Sequence, residues 1–171
     1  MSTRNPNDLV YPLNELCLEH LRILEHKGIP VIITSVARLL SEQVALFFQG
    51  RASLEEVNMM REVAQEEAKA LGHSHWLWDL GPGSKNNIVT KTIRSKHVIN
   101  LLDQNQSNDK SRAYDLAICK DGKLFYDLKT DINDNDLKDW EEIANVGRSL
   151  GRIRPGADFI NWKDWPHFEL K

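Results

Sequence analysis

The sequence has few of the features that would place it outside the ordinary globular proteins. Only two of its 171 residues are cysteine, which is too few for a disulfide framework or a four-cysteine zinc site. Neither sign of charge dominates, because 22 basic side chains stand against 25 acidic ones. We therefore expect no basic surface for nucleic acid. The longest apolar stretches, near residues 29–37 and 44–48, are too short to cross a bilayer.

The remaining composition is that of one soluble domain made in a reducing compartment. A length of 171 residues falls within the range of a single domain that can bury a core without disulfides. We find no internal repeat and no low-complexity run, so we expect residues 1–171 to form one domain, as a monomer. The first residues, Met1-Ser-Thr-Arg-Asn-Pro-Asn-Asp, lack the apolar segment of a secretory signal. We therefore expect synthesis in the cytoplasm.

Hydrophobic periodicity predicts four helices and several short strands. Helices are expected over residues 8–27, 41–50, 53–71 and around 137–147. The third should begin with a capping box, because Ser53 precedes Glu56 by three residues. Strands are expected at residues 31–33, 112–119, 124–126 and 165–170. This order predicts an α+β fold in which helices flank a small antiparallel sheet.

Asp115 lies between two alanines in one of the predicted strands. Because side chains alternate along a strand, Ala113, Asp115 and Ala117 share a face. The small alanine side chains leave room beside the carboxylate for an ion and for further ligands. A buried carboxylate is costly unless it is paired or binds a metal. A salt bridge or simple exposure to solvent would also explain this residue.

Two histidines lie among polar residues near predicted strand ends, in Ser95-Lys96-His97 and Asp164-Trp165-Pro166-His167. Pro166 predicts that Asp164 lies in the turn leading into the last strand. From such a turn, both Asp164 and His167 could point into one cleft. Catalytic zinc usually has three protein ligands and one open position, and His and Asp are suitable ligand types. Both histidines could also be ordinary polar side chains without a ligand.

Taken together, these segments resemble the M15 family of zinc peptidases. The order Ser95-x-His97, Ala113-x-Asp115 and Asp164-x-x-His167 is similar to the family's motifs. Upstream, residues 34–38, Thr-Ser-Val-Ala-Arg, resemble its Thr-Ser…Arg signature. Residues 41–51, which end in Gln-Gly-Arg, resemble the branch of L-alanyl-D-glutamate peptidoglycan endopeptidases found among phage endolysins. The resemblance extends from about residue 10 to residue 171.

This resemblance implies both a site and a reaction. It implies that His97, Asp115 and His167 hold Zn²⁺, and that Asp164 is the general base. It further implies that Arg38 donates hydrogen bonds to the substrate and that Ser95 supports His97 or the substrate. The implied fold is that of the D-Ala-D-Ala peptidases and the hedgehog-like zinc domains. The implied substrate is the peptidoglycan stem peptide, which the enzyme would reach from the cytoplasm after release, without a separate wall-binding domain.

The spacing of two implied ligands departs from the family. His97 and Asp115 are 18 residues apart, further than the family's usual spacing, which predicts a polar insertion over about residues 98–110. Two other functions stay open. One is a D,D-carboxypeptidase or dipeptidase acting on D-Ala-D-Ala. The other is a metal-binding but inactive module that binds the cell wall.

Two further motifs could bind metal. His73-x-His75 could chelate an ion from one face of a strand, although a surface role or a place in a substrate groove explains it more simply. Asp131-x-Asn133-x-Asn135, with Glu142 eleven residues after Asp131, has the ligand spacing of a calcium loop. Its sixth position is aspartate instead of the usual glycine. A polar helix amino terminus explains this motif more simply.

Overall fold

The computed structural model describes residues 3–70, 90–99 and 110–171. These residues belong to two units: residues 1–3 with 37–111, and residues 4–36 with 112–171. The pair of histidines at 73 and 75, and most of the predicted insertion at 98–110, lie outside the described residues.

The larger unit contains an antiparallel sheet and two helices. Its helices are α1 (Leu13–His26) and α4 (Asp139–Ser149). Its strands are β1 (Val31–Ser35), β4 (Ala113–Lys120), β5 (Lys123–Phe125), β6 (Ile153–Pro155) and β7 (His167–Leu170). The strand order is β1-β4-β7-β6, and β5 pairs with β4 as a hairpin. All of these pairings are antiparallel, which confirms the predicted α+β class.

The described residues of the smaller unit form two helices and a short parallel strand pair. Its elements are β2 (Arg38–Leu39), α2 (Leu40–Phe48), α3 (Leu54–Ala70) and β3 (Val98–Ile99). The predicted capping box is present, because the backbone N–H of Ser53 donates to Glu56 Oε2 at 2.9 Å and the N–H of Glu56 donates to Ser53 Oγ at 3.3 Å. Among the described residues, no helix is long and apolar enough to cross a membrane.

The sheet of the larger unit has one face against helix α4 and an opposite face that carries polar side chains. Tyr114, Leu116 and Ile118 of β4 are fully buried. Gly147 of α4 lies over Phe168 of β7, since a Cβ added to the glycine would be 3.1 Å from the phenyl ring. Alternation along each strand then turns Asp115 and His167 to the opposite face. The fold therefore separates an apolar layer from the face that carries the predicted ligands.

The hydrophobic pattern of the sequence did not predict three short strands. The strands β2 and β3 are two residues long, and β6 is three residues long, too short to produce a pattern in the sequence. The first helix begins at Leu13 rather than near residue 8, because residues 6–8 form a separate 3-10 turn capped by the Asn5 side chain.

Candidate metal centre

Asp115 and His167 face each other across two neighbouring strands. The register of β4 and β7 makes them direct partners, and Nδ1 of His167 lies 3.1 Å from Oδ1 of Asp115. Both side chains are largely buried, with 10% of His167 and 24% of Asp115 exposed. The alanines at 113 and 117 are fully buried on the same face of β4. The alternation read from the sequence thus predicts which face of β4 carries the carboxylate.

Glu169 is a part of this cluster that the sequence analysis missed. It follows His167 by two residues on β7 and therefore shares its face. Its Oε2 lies 3.3 Å from Nε2 of His167, and its Oε1 lies 3.6 Å from Nη1 of Arg154. The alternation of side chains along a strand could have found Glu169. It is two residues from His167 and lies on the same face, as Ala113 does relative to Asp115.

The two carboxylates set the charge of the His167 ring. Burial alone would lower the pKa of His167, but hydrogen bonds to Asp115 and Glu169, and the nearby charge of Asp164, raise it to about 9. The charged ring then donates from Nδ1 to Asp115 and from Nε2 to Glu169. A cation in place of the Nδ1 proton would leave the bond to Glu169 intact.

Asp164 lies in a turn that the backbone fixes against β4 and Gly156. The N–H of Asp164 donates to the carbonyl of Gly156 at 3.0 Å, and the N–H of His167 donates to the carbonyl of Asp164 at 3.1 Å. The N–H of Leu116 donates to the carbonyl of Pro166 at 2.9 Å. As Pro166 indicated, Asp164 precedes the strand, and its charge is close enough to raise the pKa of His167.

Gly156 makes this turn possible because it has no side chain. A Cβ at this position would lie 2.3 Å from the carbonyl oxygen of Asp164 and 3.0 Å from Cβ of His167. No real Cβ approaches backbone so closely, so any other residue would displace the turn. The glycine therefore positions both Asp164 and His167.

In the smaller unit, His97 is held at the start of β3 and is 3% exposed. Its N–H donates to Ser95 Oγ at 3.3 Å, and its carbonyl accepts from the N–H of Arg38 at 2.9 Å. The Ser111 hydroxyl donates to the carbonyl of Lys96 at 3.3 Å. Ser95 thus contacts the backbone of His97, and its predicted role towards substrate stays a prediction.

Arg38 is oriented by a buried amide that sequence analysis also missed. Its Nη1 donates to Oε1 of Gln43 at 2.6 Å. Gln43 is fully buried, and its own Nε2 donates to the carbonyl of Thr92 at 2.6 Å. The Glu42 carboxylate is 4.0 Å from Nε of Arg38. These contacts limit the orientations of the guanidinium, and its role towards substrate stays a prediction.

The predicted ligand residues are suitable for a divalent metal ion. Asp115 and His167 of the larger unit lie within hydrogen-bond distance of each other, and His97 of the smaller unit is the second imidazole that the resemblance implies. Two imidazoles and a carboxylate form a donor set that zinc accepts, and such a set leaves one position open. The contact of Nε2 with Glu169 leaves Nδ1 as the ring nitrogen that could bind an ion. The residues present therefore fit the ion that the motifs implied.

Comparison with known proteins finds a relative among peptidoglycan peptidases. No family model matches the chain. The chain is 28% identical over 146 residues to the peptidoglycan L-alanyl-D-glutamate endopeptidase CwlK of Bacillus subtilis. The match covers 85% of this chain and 63% of CwlK, so the chain spans less than two thirds of that relative. The match confirms the resemblance to peptidoglycan endopeptidases that the motifs indicated.

A comparison with solved structures gives a second similarity. The crystal structure of the L-Ala D-Glu endopeptidase ChiX of Serratia marcescens aligns with all of this chain and with 89% of its own chain. The TM-score is 0.47 and the sequence identity is 17%.

Proposed function

We propose that this chain is a zinc-dependent peptidoglycan hydrolase that cleaves the bond between L-alanine and D-glutamate in the stem peptide. The observation that carries the proposal is the largely buried pair of Asp115 and His167, to which His97 would add the third donor of the set, in a chain similar to CwlK. A metallopeptidase needs such a set with an open position for water.

The three ligands would hold Zn²⁺, with Nδ1 as the ligand atom of His167. When bound, zinc supplies Lewis-acid activation of a water molecule and of the scissile carbonyl. Glu169 keeps the His167 ring in its orientation by accepting the Nε2 proton. Ala113 and Ala117 leave the space beside Asp115 free of large side chains.

Asp164 is the general base of the proposed reaction. Its carboxylate would accept a proton from the attacking water and return that proton to the amine of the leaving D-glutamate. This role requires a carboxylate near the metal ligands that is not itself a ligand. The turn after Gly156 supports this assignment, because it fixes the Asp164 backbone three residues before His167.

Arg38 is the proposed electrophilic residue. Its guanidinium would donate hydrogen bonds to the oxygen that gains negative charge in the transition state, or to a substrate carboxylate. The buried Gln43 supports this role, because it holds one guanidinium nitrogen and limits how the side chain can turn. Ser95 would support the site through the backbone of His97.

A role in phage-type lysis is the finer part of the proposal. It rests on the Gln49-Gly50-Arg51 segment at the end of α2, which resembles the endolysin branch. Arg51 donates to the carbonyl of Thr90 at 2.9 Å and lies over the Phe47 ring. The segment thus fixes the end of α2, and the lytic role itself is tested on cells.

Digestion of purified sacculi by the zinc-loaded protein tests the cleaved bond. We expect new amino-terminal glutamate in the soluble peptides and no free alanine. Release of D-alanine would identify a D,D-peptidase instead. Binding to sacculi at full zinc occupancy without hydrolysis would identify a wall-binding module. Lysis of permeabilised bacteria, scored by turbidity, tests the lytic role.

Substitution of the proposed base separates catalysis from metal binding. Asp164→Asn keeps the size of the side chain, so we expect full zinc content and turnover lower by about 10²–10⁴-fold. Asp121→Asn is the matched control, because Asp121 lies in the β4–β5 turn at φ 52°, a conformation that asparagine accepts. Near-native turnover of Asp164→Asn would remove this residue from the mechanism.

A further inference from the structure

The loop before α4 contains the spacing of a calcium-binding loop, and the structure adds the geometry. In the twelve-residue calcium loop, ligands come from positions 1, 3, 5, 7, 9 and 12. With Asp131 as position 1, the six ligand positions are occupied by Asp131, Asn133, Asn135, Leu137, Asp139 and Glu142. Five of the six offer side-chain oxygens, and position 7 requires only a backbone carbonyl.

The sixth position no longer argues against such a site. Calcium loops have glycine there, because the turn is sharp. Asp136 occupies this position and adopts a φ of 64°, in the left-handed region that aspartate tolerates better than most residues. The N–H of Asp136 and that of Asn135 donate to the two oxygens of Asp131, at 3.0 and 3.2 Å. The loop therefore already curves around the Asp131 carboxylate.

The buried carboxylate of Asp139 favours a cation at this position. Asp139 is fully buried. Its Oδ2 accepts from the N–H of Ile132 at 2.8 Å, which places the carboxylate against the loop. Its Oδ1 is buried and has no hydrogen-bond partner among the described residues. A buried carboxylate oxygen without a partner is costly, and a bound cation would satisfy it.

The charges of two other acidic residues of the loop act on the Asp139 carboxylate. Burial raises the pKa of Asp139, and the nearby charges of Asp131 and Glu142 raise it further. Oδ1 of Asn133 is also buried and lacks a partner in the described part of the chain. Carboxylate and amide oxygens of this kind are the ligands of Ca²⁺, whereas zinc prefers nitrogen and sulfur.

Two amide donors and one ammonium group contact the Glu142 carboxylate, which a cation would need. Nδ2 of Asn133 and Nδ2 of Asn135 donate to Oε2 of Glu142 at 3.3 and 2.9 Å. Nζ of Lys27 lies 3.2 Å from Oε1, and its side chain is 45% exposed. A half-turn of each amide presents its oxygen instead, and the exposed Lys27 side chain can leave. Both oxygens of Glu142 then become available, as position 12 requires.

We propose that residues 131–142 form a Ca²⁺ site, with ligands from Asp131, Asn133, Asn135, Asp139, Glu142 and the carbonyl of Leu137. The ion links the loop to the first turn of α4. Calcium would thereby stabilise the start of that helix. The site involves none of the proposed zinc ligands.

Calorimetric titration of the zinc-loaded protein with CaCl₂, in buffer freed of calcium, tests the site. We expect one ion bound per chain, with a Kd on the order of 10⁻⁵–10⁻³ M. Saturating Ca²⁺ should raise the melting temperature by about 5 °C or more. MgCl₂ should bind more weakly, because Mg²⁺ needs a smaller octahedral site. No heat and no thermal shift with Ca²⁺, or equal affinity for Mg²⁺, would overturn the proposal.

Matched variants of the loop separate ligands from general negative charge. Glu142→Gln and Asn135→Ala remove ligands, and each should weaken Ca²⁺ binding by at least about tenfold. Asn135 is exposed, so its variant tests the site even if a buried substitution unfolds the protein. Asp134→Asn removes a charge at a non-ligand position and should change the Kd by less than about twofold. An equal loss in Asp134→Asn would show diffuse attraction only and would contradict the site.

Discussion

Two buried histidines of the larger unit show how partners, rather than burial, set the chemistry of a side chain. His20 of α1 is fully buried and His167 of β7 is 8% exposed. Burial lowers the pKa of His20 to about 4. The same effect acts on His167, but its hydrogen bonds to Asp115 and Glu169 raise the pKa to about 9. The His20 ring is therefore neutral at pH 7 and packs in the core. The His167 ring is protonated and positively charged at the same pH.

The contacts of the His20 ring explain why it stays neutral. Nδ1 accepts from the Tyr114 hydroxyl at 2.8 Å, and Nε2 donates to the carbonyl of Ile143 at 3.0 Å. The ring also packs edge-on against Phe168, with 4.8 Å between ring centroids. Tyr114 and Phe168 are the immediate neighbours of Asp115 and His167. Alternation along two strands thus places the proposed ligands Asp115 and His167 one residue away from side chains of the apolar core.

Substitution of His167 and of His20 should give the largest difference between the two histidines. We expect His167→Gln to lose zinc and to lower hydrolysis by about 10³-fold or more, since the donor set is then incomplete. His20→Gln should keep its zinc, although it should be less stable. Metal content after dialysis and hydrolysis of sacculi measure both effects. Zinc retained in His167→Gln at the wild-type level would remove that residue from the ligand set.

Two glycines, one on each face, give a second contrast. Gly156→Ala would force its Cβ to within 2.3 Å of the Asp164 carbonyl oxygen, so the turn must move. A displacement of about 1 Å at a reacting group costs on the order of 10²-fold in rate. Gly147→Ala needs the Phe168 ring to give by only a few tenths of an ångström, because the distance there is 3.1 Å.

The Gly147 variant is the control for the Gly156 variant. Alanine is favoured over glycine by about 1 kcal/mol within a helix, which offsets the tighter contact. We therefore expect turnover within about twofold of wild type and a stability change within about 1 kcal/mol. Kinetics and thermal unfolding of both variants provide the measurements. Equal turnover in the two variants would mean that the Asp164 turn does not need Gly156.

Acid should destabilise the protein through His20. Above pH 6.5 the ring is neutral in both states. Between pH 6.5 and about 4 the unfolded chain binds a proton that the folded chain does not, so the stability falls as pH falls. The full loss is about 3 kcal/mol. The difference in unfolding free energy between wild type and His20→Gln should shrink by this amount from pH 7 to pH 4. A constant difference would contradict the low pKa, which NMR titration of the ring measures directly.

Much of the fold follows from local patterns in the sequence. The helix of Ser53 and Glu56 was predicted because its cap is encoded in consecutive residues. The strands at 112–119 and 124–126 were predicted from local residues, and in the structure they are joined by a turn in which Asp121 and Gly122 have φ of 52° and 74°, a conformation that these residues accept. The strands β2 and β6 could not be predicted, since they are only two and three residues long. Each forms by pairing with another strand rather than from a local pattern.

Some features of the candidate site could likewise be predicted from local patterns, and others could not. The face of β4 that carries Asp115 follows from the period of two. The pairing of Asp115 with His167 required a motif, because 52 residues separate them and no local pattern sets the register of distant strands. Gln43 acts through its contact with Arg38, and no spacing in the sequence indicates that contact. The period of two along β7 could have found Glu169 beside His167.

Glu169 gives the finest test of why the two histidines differ. Glu169→Ala removes the acceptor of the Nε2 proton, and we expect zinc affinity to fall by about 10–100-fold. Glu169→Gln keeps an oxygen acceptor and loses only the charge, so its affinity should fall less. Glu141→Gln is the matched control, because Glu141 is exposed on α4 and pairs with Lys138. Competition with a chromogenic zinc chelator measures each Kd. Wild-type affinity in Glu169→Ala would mean that the His167 ring does not need Glu169 to keep its orientation.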